Sequence, residues 1–403
     1  MKDRVLIVGA GPVGSITALA LLQAGIPVTI FEALAETPTA HRAATTHSST
    51  LDALESVGIA DEVVKQGLVA RYFQYRHRET NEIFAEFDFD RLKDETHHPY
   101  AVQLEQHKTV GIALDRNAAF ADFGLHRGHR AVEMSQDDSG VVLVTETPDG
   151  TRHDWRGRYL IGCDGGRSFA RKASGIDFPG FTWEEKFMIV ATLFDFEAAD
   201  HFRYRNYIAD AQRWSSVFKI PGPDSKGMWR TLFPIMADET EQDVTSDQWI
   251  HDRFAEILPY AKDTKIVHRN LYNVHQRVAA SFRAGRVFLA GDAAHVNNPL
   301  GGMGMNSGIQ DGLTLAAKIV KVWRGEGDDA LFDLYDRQRR PLAEKYVQAQ
   351  SIQNKQTLQN TDKAAAMKRF DELRQIAEDP KRHKPFLMNA SLINMARESA
   401  AIG

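Results

Sequence analysis

Nothing constrains the fold of this chain more than its first thirty-two residues. Val5-Leu-Ile-Val8 is an unbroken apolar run, the pattern of a strand covered on both faces. Gly9, Gly11 and Gly14 then fit G-x-G-x-x-G, and Ser15 to Ala24 continues as an Ala/Leu-rich helix. Val28-Thr-Ile-Phe31 is a second strand, ending at Glu32. Each glycine has a job in such a unit: Gly9 allows the tight turn, Gly11 lets backbone approach a pyrophosphate, and Gly14 lets helix and strand pack closely. Glu32 falls about 20 residues on, where a carboxylate accepts hydrogen bonds from ribose hydroxyls. An acid there disfavours a 2′-phosphate, so the slot suits FAD or NAD rather than NADP. A purely structural glycine turn is the plainer alternative. The strand before, the helix after and the acid at the next strand end all count against it.

Two later segments carry related chemistry. Tyr159-Leu-Ile-Gly-Cys-Asp-Gly-Gly-Arg-Ser168 is a strand ending in Asp-Gly, followed by a helical Ala170-Arg-Lys-Ala-Ser-Gly175. Arg286-Val-Phe-Leu-Ala-Gly-Asp-Ala-Ala-His295 is an apolar run that stops at Gly-Asp. It continues through Pro299-Leu-Gly-Gly-Met-Gly-Met-Asn306 to Ile309-Gln-Asp-Gly312. A strand ending at a carboxylate and handing over to exposed helix N–H groups suits a ligand with hydroxyls and developing negative charge.

With these three motifs in order, the chain resembles the single-component, FAD-dependent aromatic hydroxylases, the family typified by para-hydroxybenzoate hydroxylase. The flanks match as well: Arg42-Ala43, Gln103 in a Val-Gln-Leu-Glu stretch, and Tyr335-Asp-Arg-Gln-Arg-Arg-Pro341. The likeness covers most of residues 1–345 and is weakest over 176–274. It implies an α/β fold in which a Rossmann-type FAD-binding lobe is interleaved with a mixed β-sheet substrate lobe and C-terminal helices. Residues 1–75, 100–175 and 275–330 are expected to form the FAD-binding part. Residues 76–99 and 176–274 would form the substrate sheet, and 331–403 a helical region.

The resemblance also implies roles. Gly9, Gly11 and Gly14 would hold the FAD pyrophosphate, Glu32 the adenosine ribose, Arg42 the phosphates, and Gln103 and Asp292 the ribityl chain. Capping the next helix is compatible with that role of Asp292. Asp164 would support FAD and a transient nicotinamide cofactor, NADH or NADPH, with Arg167 either a phosphate contact or a structural salt bridge. Backbone N–H groups of Gly301, Gly302, Gly304, Met305 and Asn306 would stabilise negative charge on the reduced flavin. Pro299 would face the substrate. The implied reaction reduces FAD with NAD(P)H, adds O₂, and transfers OH to a small phenolic or hydroxylated heteroaromatic ring through a flavin C4a-hydroperoxide.

A phenol substrate calls for a proton acceptor. His47 and Tyr207 are the candidates retained, among Tyr204, Trp214 and Trp229, for all of which core packing is the commoner role. Arg203, Arg205 and Arg230 could clamp an acidic substituent, although charged strand faces are common. The rival functions are a reductase or dehydrogenase on the same fold, and a non-catalytic FAD-binding redox sensor. The nearly complete late motif favours the hydroxylase.

Composition narrows the setting. At 403 residues with 43% hydrophobic and 26% charged content, the chain is an ordinary globular protein. A net charge of −5 and no basic tract argue against nucleic acid. The single cysteine, Cys163, excludes an internal disulfide, and its expected role is to fill space at a strand end. The first strand begins too early to leave room for a signal peptide, and no apolar run is long enough to insert stably in a membrane. A cytoplasmic enzyme is expected, monomer or homodimer.

Along the chain, helices are expected at Thr50–Val57, Asp61–Gln66 and Ser246–Leu258, and a returning helix over 100–120. A β-meander is expected over 129–161, and strands at Phe187–Phe196, Phe202–Ile208, Ser215–Ile220 and Met228–Ile235. Pro385–Arg397 reads as one apolar-rich helix.

Overall fold

The computed structural model describes residues 3–39, 43–210, 213–236, 238–349, 351–353 and 363–403. Arg42 lies outside them. Val5–Val8 is at the heart of a six-stranded sheet, between Tyr159–Gly162 and Val28–Glu32. Phe123–Arg127 closes one edge; Val287–Leu289 and Arg283–Ala284 close the other. All pairings are parallel except the final hairpin. All four residues of Val5–Val8 are buried, which explains the unbroken apolar run.

The register of this sheet does something the motifs cannot do alone. Val8 pairs with both Phe31 and Gly162, and Gly162 pairs with Leu289. The three glycine–acid turns therefore leave the sheet at one edge, at the carboxyl ends of adjacent strands, where open α/β sheets bind ligands. Cross-strand bonds lock the exits together: Gly9 N–H donates to Phe31 C=O (2.8 Å), Cys163 N–H to Val8 C=O (2.8 Å) and Ala290 N–H to Gly162 C=O (3.0 Å).

The second large sheet has eight strands, in the order His295–Val296, Ile266–Val278, Gly180–Thr192, Met228–Pro234, Ser215–Ile220, Arg205–Ala209, Tyr72–His77 and Ile83–Asp88. Its outer face, with Met188, Val190, Trp229 and Phe233, packs on the helix Asp247–Ile257. Its inner face carries Phe187, Ile189, Tyr207, Phe218 and Leu232, in one cluster with Leu300 of the late motif and with Phe370 and Leu387 of the C-terminal helices. A meander of Arg130–Asp137, Gly140–Glu146 and Arg152–Gly157 forms a third sheet, and the fold is mixed α/β as expected.

Several local expectations shift. The first of two strands near residue 190 stops at Thr192, because Asp195 caps a short helix at Phe196–Asp200 by accepting from Glu197 and Ala198 N–H. The next begins only at Arg205. Gln103 sits on the strand Ala101–Gln103, and the returning helix starts later, at Gln106. Ile266–Val278 is a long strand that sequence reading passed over. Its polar residues fall on both faces, so neither alternation nor an apolar run marks it. Residues 380–401 form two helices, Pro380–Ala390 and Ile393–Ala401, parted at Leu392 (φ 57°). Among the described residues no helix is long and apolar enough to cross a membrane.

Candidate active site

The N-terminal loop has the shape of a phosphate cradle. Gly9 has φ +102°, and a Cβ there would lie 2.4 Å from Cys163 O. A Cβ on Gly14 would lie 2.0 Å from Gly9 O, so helix Pro12–Gln23 approaches the loop as only glycine allows. A Cβ on Gly11 would meet no atom within 4 Å, leaving open space beside its backbone. Glu32 turns back on the loop: its Oε2 accepts from Ala10 N–H and its Oε1 from Leu34 N–H, both at 2.9 Å. Each oxygen retains lone-pair capacity for a hydroxyl.

Further along, Gln103 is fully buried. Its Oε1 accepts from the Thr45 hydroxyl (3.0 Å), while its Nε2 has no partner. Thr46 Oγ1, on the strand paired with it, is also buried without one. Buried donors are nearly always hydrogen-bonded, so those without a protein partner are candidate contacts for a ligand or a water. Together with the Gly11 opening and the Glu32 carboxylate, they fit a dinucleotide carrying a polyol chain.

The late motif forms the other wall. Gly301 and Gly302 are consecutive left-handed residues (φ 92° and 69°), and Gly302 N–H donates to Pro299 C=O at 3.0 Å. Helix Met303–Trp323 begins here, three residues before Asn306, so the first-turn amides are those of Met303, Gly304 and Met305. The Met305 side chain packs into a core with Ile16 and Leu19. Asn306 acts as a fastener: its Oδ1 accepts from His47 N–H (2.8 Å) and its Nδ2 donates to Thr45 C=O (2.8 Å) and Gly302 C=O (2.7 Å). Asp292 is exposed, one residue after Gly291.

His47 lies beneath this wall, 2.7 Å from the Gly301 carbonyl through Nε2. A carbonyl only accepts, so Nε2 carries the proton and the buried, unpartnered Nδ1 presents a lone pair. Burial, and next the charge of Arg205, lower the His47 pKa to about 3, outweighing the Gly301 bond. The ring stays neutral at physiological pH. In the unfolded chain it titrates at 6.5. Its contribution to stability is therefore complete above pH 6.5 and is lost as pH falls from 6.5 toward 3, at about 1.4 kcal/mol per pH unit. The variant His47→Asn, loaded with FAD, should show a flatter loss of urea midpoint than the wild type over this window. Parallel curves would rule the titration out.

The other expected residues divide. Tyr207 is buried on the inner face, stacked on Tyr75 (5.1 Å), with its hydroxyl accepting from Arg205 Nη2 at 3.3 Å. Trp229 makes an edge-to-face contact with Phe196 in the outer layer, and Tyr204 contacts Lys219, which also lies over Trp229. Asp164 accepts from the Ser168 hydroxyl (2.5 Å) and Ala170 N–H (3.0 Å) at the start of the helix Phe169–Ala173. Removal from water raises its pKa despite those bonds. Arg167 is exposed and, among the described residues, makes no ion pair.

Sequence reading missed two supports. Arg171, buried against Phe178 (3.7 Å), donates to Ala293 C=O and Gly166 C=O, both at 2.8 Å, tying the middle motif to the late one. Asp311 is completely buried. It accepts from His295 Nε2 (2.7 Å), Arg339 Nε (2.7 Å) and Gly291 N–H (3.2 Å). Asp311 and Arg339 lie within quoted motifs, but no local signal marks them as partners.

Comparisons with known proteins identify the family. The FAD binding domain family matches residues 2–350. The chain is 31% identical over 398 residues to para-nitrophenol 4-monooxygenase of Pseudomonas sp. (strain WBC-3), covering 98% of this chain and 97% of that one. It is 32% identical over 364 residues to 6-hydroxy-3-succinoylpyridine 3-monooxygenase of Pseudomonas putida, covering 89% of each. The crystal structure of p-nitrophenol 4-monooxygenase from Pseudomonas putida DLL-E4 superposes with a TM-score of 0.91 at 29% identity, covering 97% of this chain and 98% of that one. The chain belongs to the FAD binding domain family and is an FAD-dependent aromatic hydroxylase of the single-component flavin monooxygenase class.

Proposed function

We propose that this enzyme hydroxylates a small phenolic or hydroxylated heteroaromatic ring, using NADH or NADPH and O₂. The observation that carries the reading is a set of buried, unpartnered polar atoms on surfaces that meet at Leu300–Gly302: His47 Nδ1, Arg205 Nε, Trp214 Nε1 and Tyr272 Oη. Packed aromatic walls with a few unsatisfied polar groups are the expected lining of a small-ring site. The names of the relatives, a nitrophenol and a hydroxypyridine monooxygenase, support the same substrate class. Bound FAD would take up hydride from the nicotinamide and activate oxygen.

The chain's own residues would then do two things. The inner sheet face and Leu300 exclude water. When the ring hydroxyl is un-ionised, His47 Nδ1 accepts a hydrogen bond from it; with a pKa of about 3 it orients that proton and does not retain it. Tyr207, in one cluster with Leu300, and Pro299, next to Leu300 in the chain, are the remaining candidate catalytic groups. The enzyme would work in the cytoplasm, where NAD(P)H is supplied.

The test uses the FAD-loaded protein with NADH or NADPH and a panel of phenols and pyridinols, following coenzyme oxidation and product mass. Substrate-stimulated oxidation with one oxygen atom added is expected. Equal turnover without O₂, giving a reduced product, would sink the reading.

A further inference from the structure

Three arginines were equivalent in sequence as partners for an acidic substrate; the structure separates them. Arg203 is exposed, and its Nε and Nη2 donate to Glu86 at 2.9 and 3.3 Å. Arg205 is 4% exposed and its Nε has no partner. Its guanidinium carbon lies 5.2 Å from the Phe73 ring, 5.9 Å from Phe89 and 5.8 Å from Phe218. Arg230 Nε is likewise buried and unpartnered.

The strand register places Arg205 directly opposite Phe218, and Phe218 directly opposite Arg230. The three side chains form a row across adjacent strands, on the face that also carries Tyr207 and Leu232. Among the described residues no carboxylate pairs with either guanidinium. Ring faces attract a cation but offer no acceptor in the guanidinium plane: Arg205 Nη2 donates to the Tyr207 hydroxyl at 3.3 Å, and its Nε is left without a partner. A buried guanidinium is ordinarily paired, and an unpaired one is strongly unfavourable. Phe218 of this row packs in one cluster with Leu300 of the late motif, whose neighbour Gly301 holds His47 at 2.7 Å.

We propose that Arg205 binds an anionic oxygen on the aromatic substrate, within the box formed by Phe73, Phe89 and Phe218, so that the site selects acidic aromatics. The oxygen is the ring phenolate or a ring-borne carboxylate, which share this chemistry. The inference rests on the hydroxylase reading and narrows it to a charge class. Arg205 is a specificity-determining residue in this account, and Arg230 adds to the positive field of the face.

FAD-loaded wild type, Arg205→Met, Arg205→Lys and the control Arg203→Met are titrated with 4-nitrophenol above its pKa, its neutral methyl ether, and 4-hydroxybenzoate. Perturbation of the flavin spectrum reads binding. The wild type should prefer an anion to the ether by about 100-fold, and Arg205→Met should abolish that preference while shifting ether affinity by less than about 3-fold. Arg205→Lys should recover part of it, and Arg203→Met should change nothing. Dependence confined to nitrophenolate assigns the ring oxygen; dependence confined to hydroxybenzoate assigns the carboxylate. Equal affinity of the wild type for anion and ether overturns the proposal. So does an anion preference that survives in Arg205→Met, or in Arg205→Gln should the methionine variant fail to retain FAD. Product mass is scored separately. Arg205-dependent anion binding without oxygen transfer would defeat the hydroxylase reading alone. Hydroxylation with an Arg205-independent anion preference would defeat only this inference.

Discussion

Asp311→Ala is expected to destabilise the protein by roughly 3–5 kcal/mol and to lower its FAD content after purification. Asp311 is fully buried between His295 and Arg339, each at 2.7 Å. Burial alone would raise its pKa, but the Arg339 charge and the His295 contact outweigh that and hold the carboxylate ionised. Removing it leaves a guanidinium at 1% exposure without its counter-charge. It also takes away the acceptor for Gly291 N–H, the residue that opens the late Gly-Asp turn. Asp311→Asn keeps the volume and part of the hydrogen bonding, so it should fall between the two. Urea midpoints and the flavin-to-protein absorbance ratio measure both effects; an Asp311→Ala protein matching the wild type in both would refute this role.

Gly14→Ala should be comparably severe, and Gly11→Ala should not, although both alter one motif. The Cβ of the first would sit 2.0 Å from the Gly9 carbonyl oxygen and 3.2 Å from Ile7 Cγ2. The closest atom is backbone, so strand and helix must part, at about 3 kcal/mol, the upper end of the usual cost of overpacking. Gly11 has φ −71° and open space where its Cβ would be. Gly11→Ala should therefore melt like the wild-type apoprotein and lose FAD affinity only through crowding of the cofactor. Thermal melts of the apoproteins, beside FAD titrations, separate the two. If Gly11→Ala were as unstable as Gly14→Ala, the open cradle would be wrong.

Much of the nucleotide lobe was legible because its signals are local. An unbroken apolar run, three spaced glycines and an acid at the next strand end lie within thirty-two residues. Strands such as Ser215–Ile220 were found by composition and turn signals. The failures have local causes too. Asp195 stops a strand through a cap that an apolar run disguises, and Ile266–Val278 carries polar residues on both faces. Gln103 was placed on a helix because the helix beginning at Gln106 hides the short strand before it.

The site itself divided differently. Sequence reading could nominate His47 as a proton acceptor and Asn306 in the late motif, but not that they bond to one another across 259 residues. It nominated Arg203, Arg205 and Arg230 alike, since strand alternation says which residues share a face and not which face meets a carboxylate. Only the folded structure pairs Arg203, in the loop before the strand, with Glu86 and leaves Arg205, on the strand, buried among phenyl rings. By itself the sequence determined the class of fold, the dinucleotide slot and the order of the three motifs, because turn chemistry and periodicity act between near neighbours. The tertiary structure decided which charges are neutralised, which ring nitrogen of His47 bears its proton and which polar atoms are buried without a protein partner. Those depend on burial and on pairings between distant segments, which no stretch of chain contains alone.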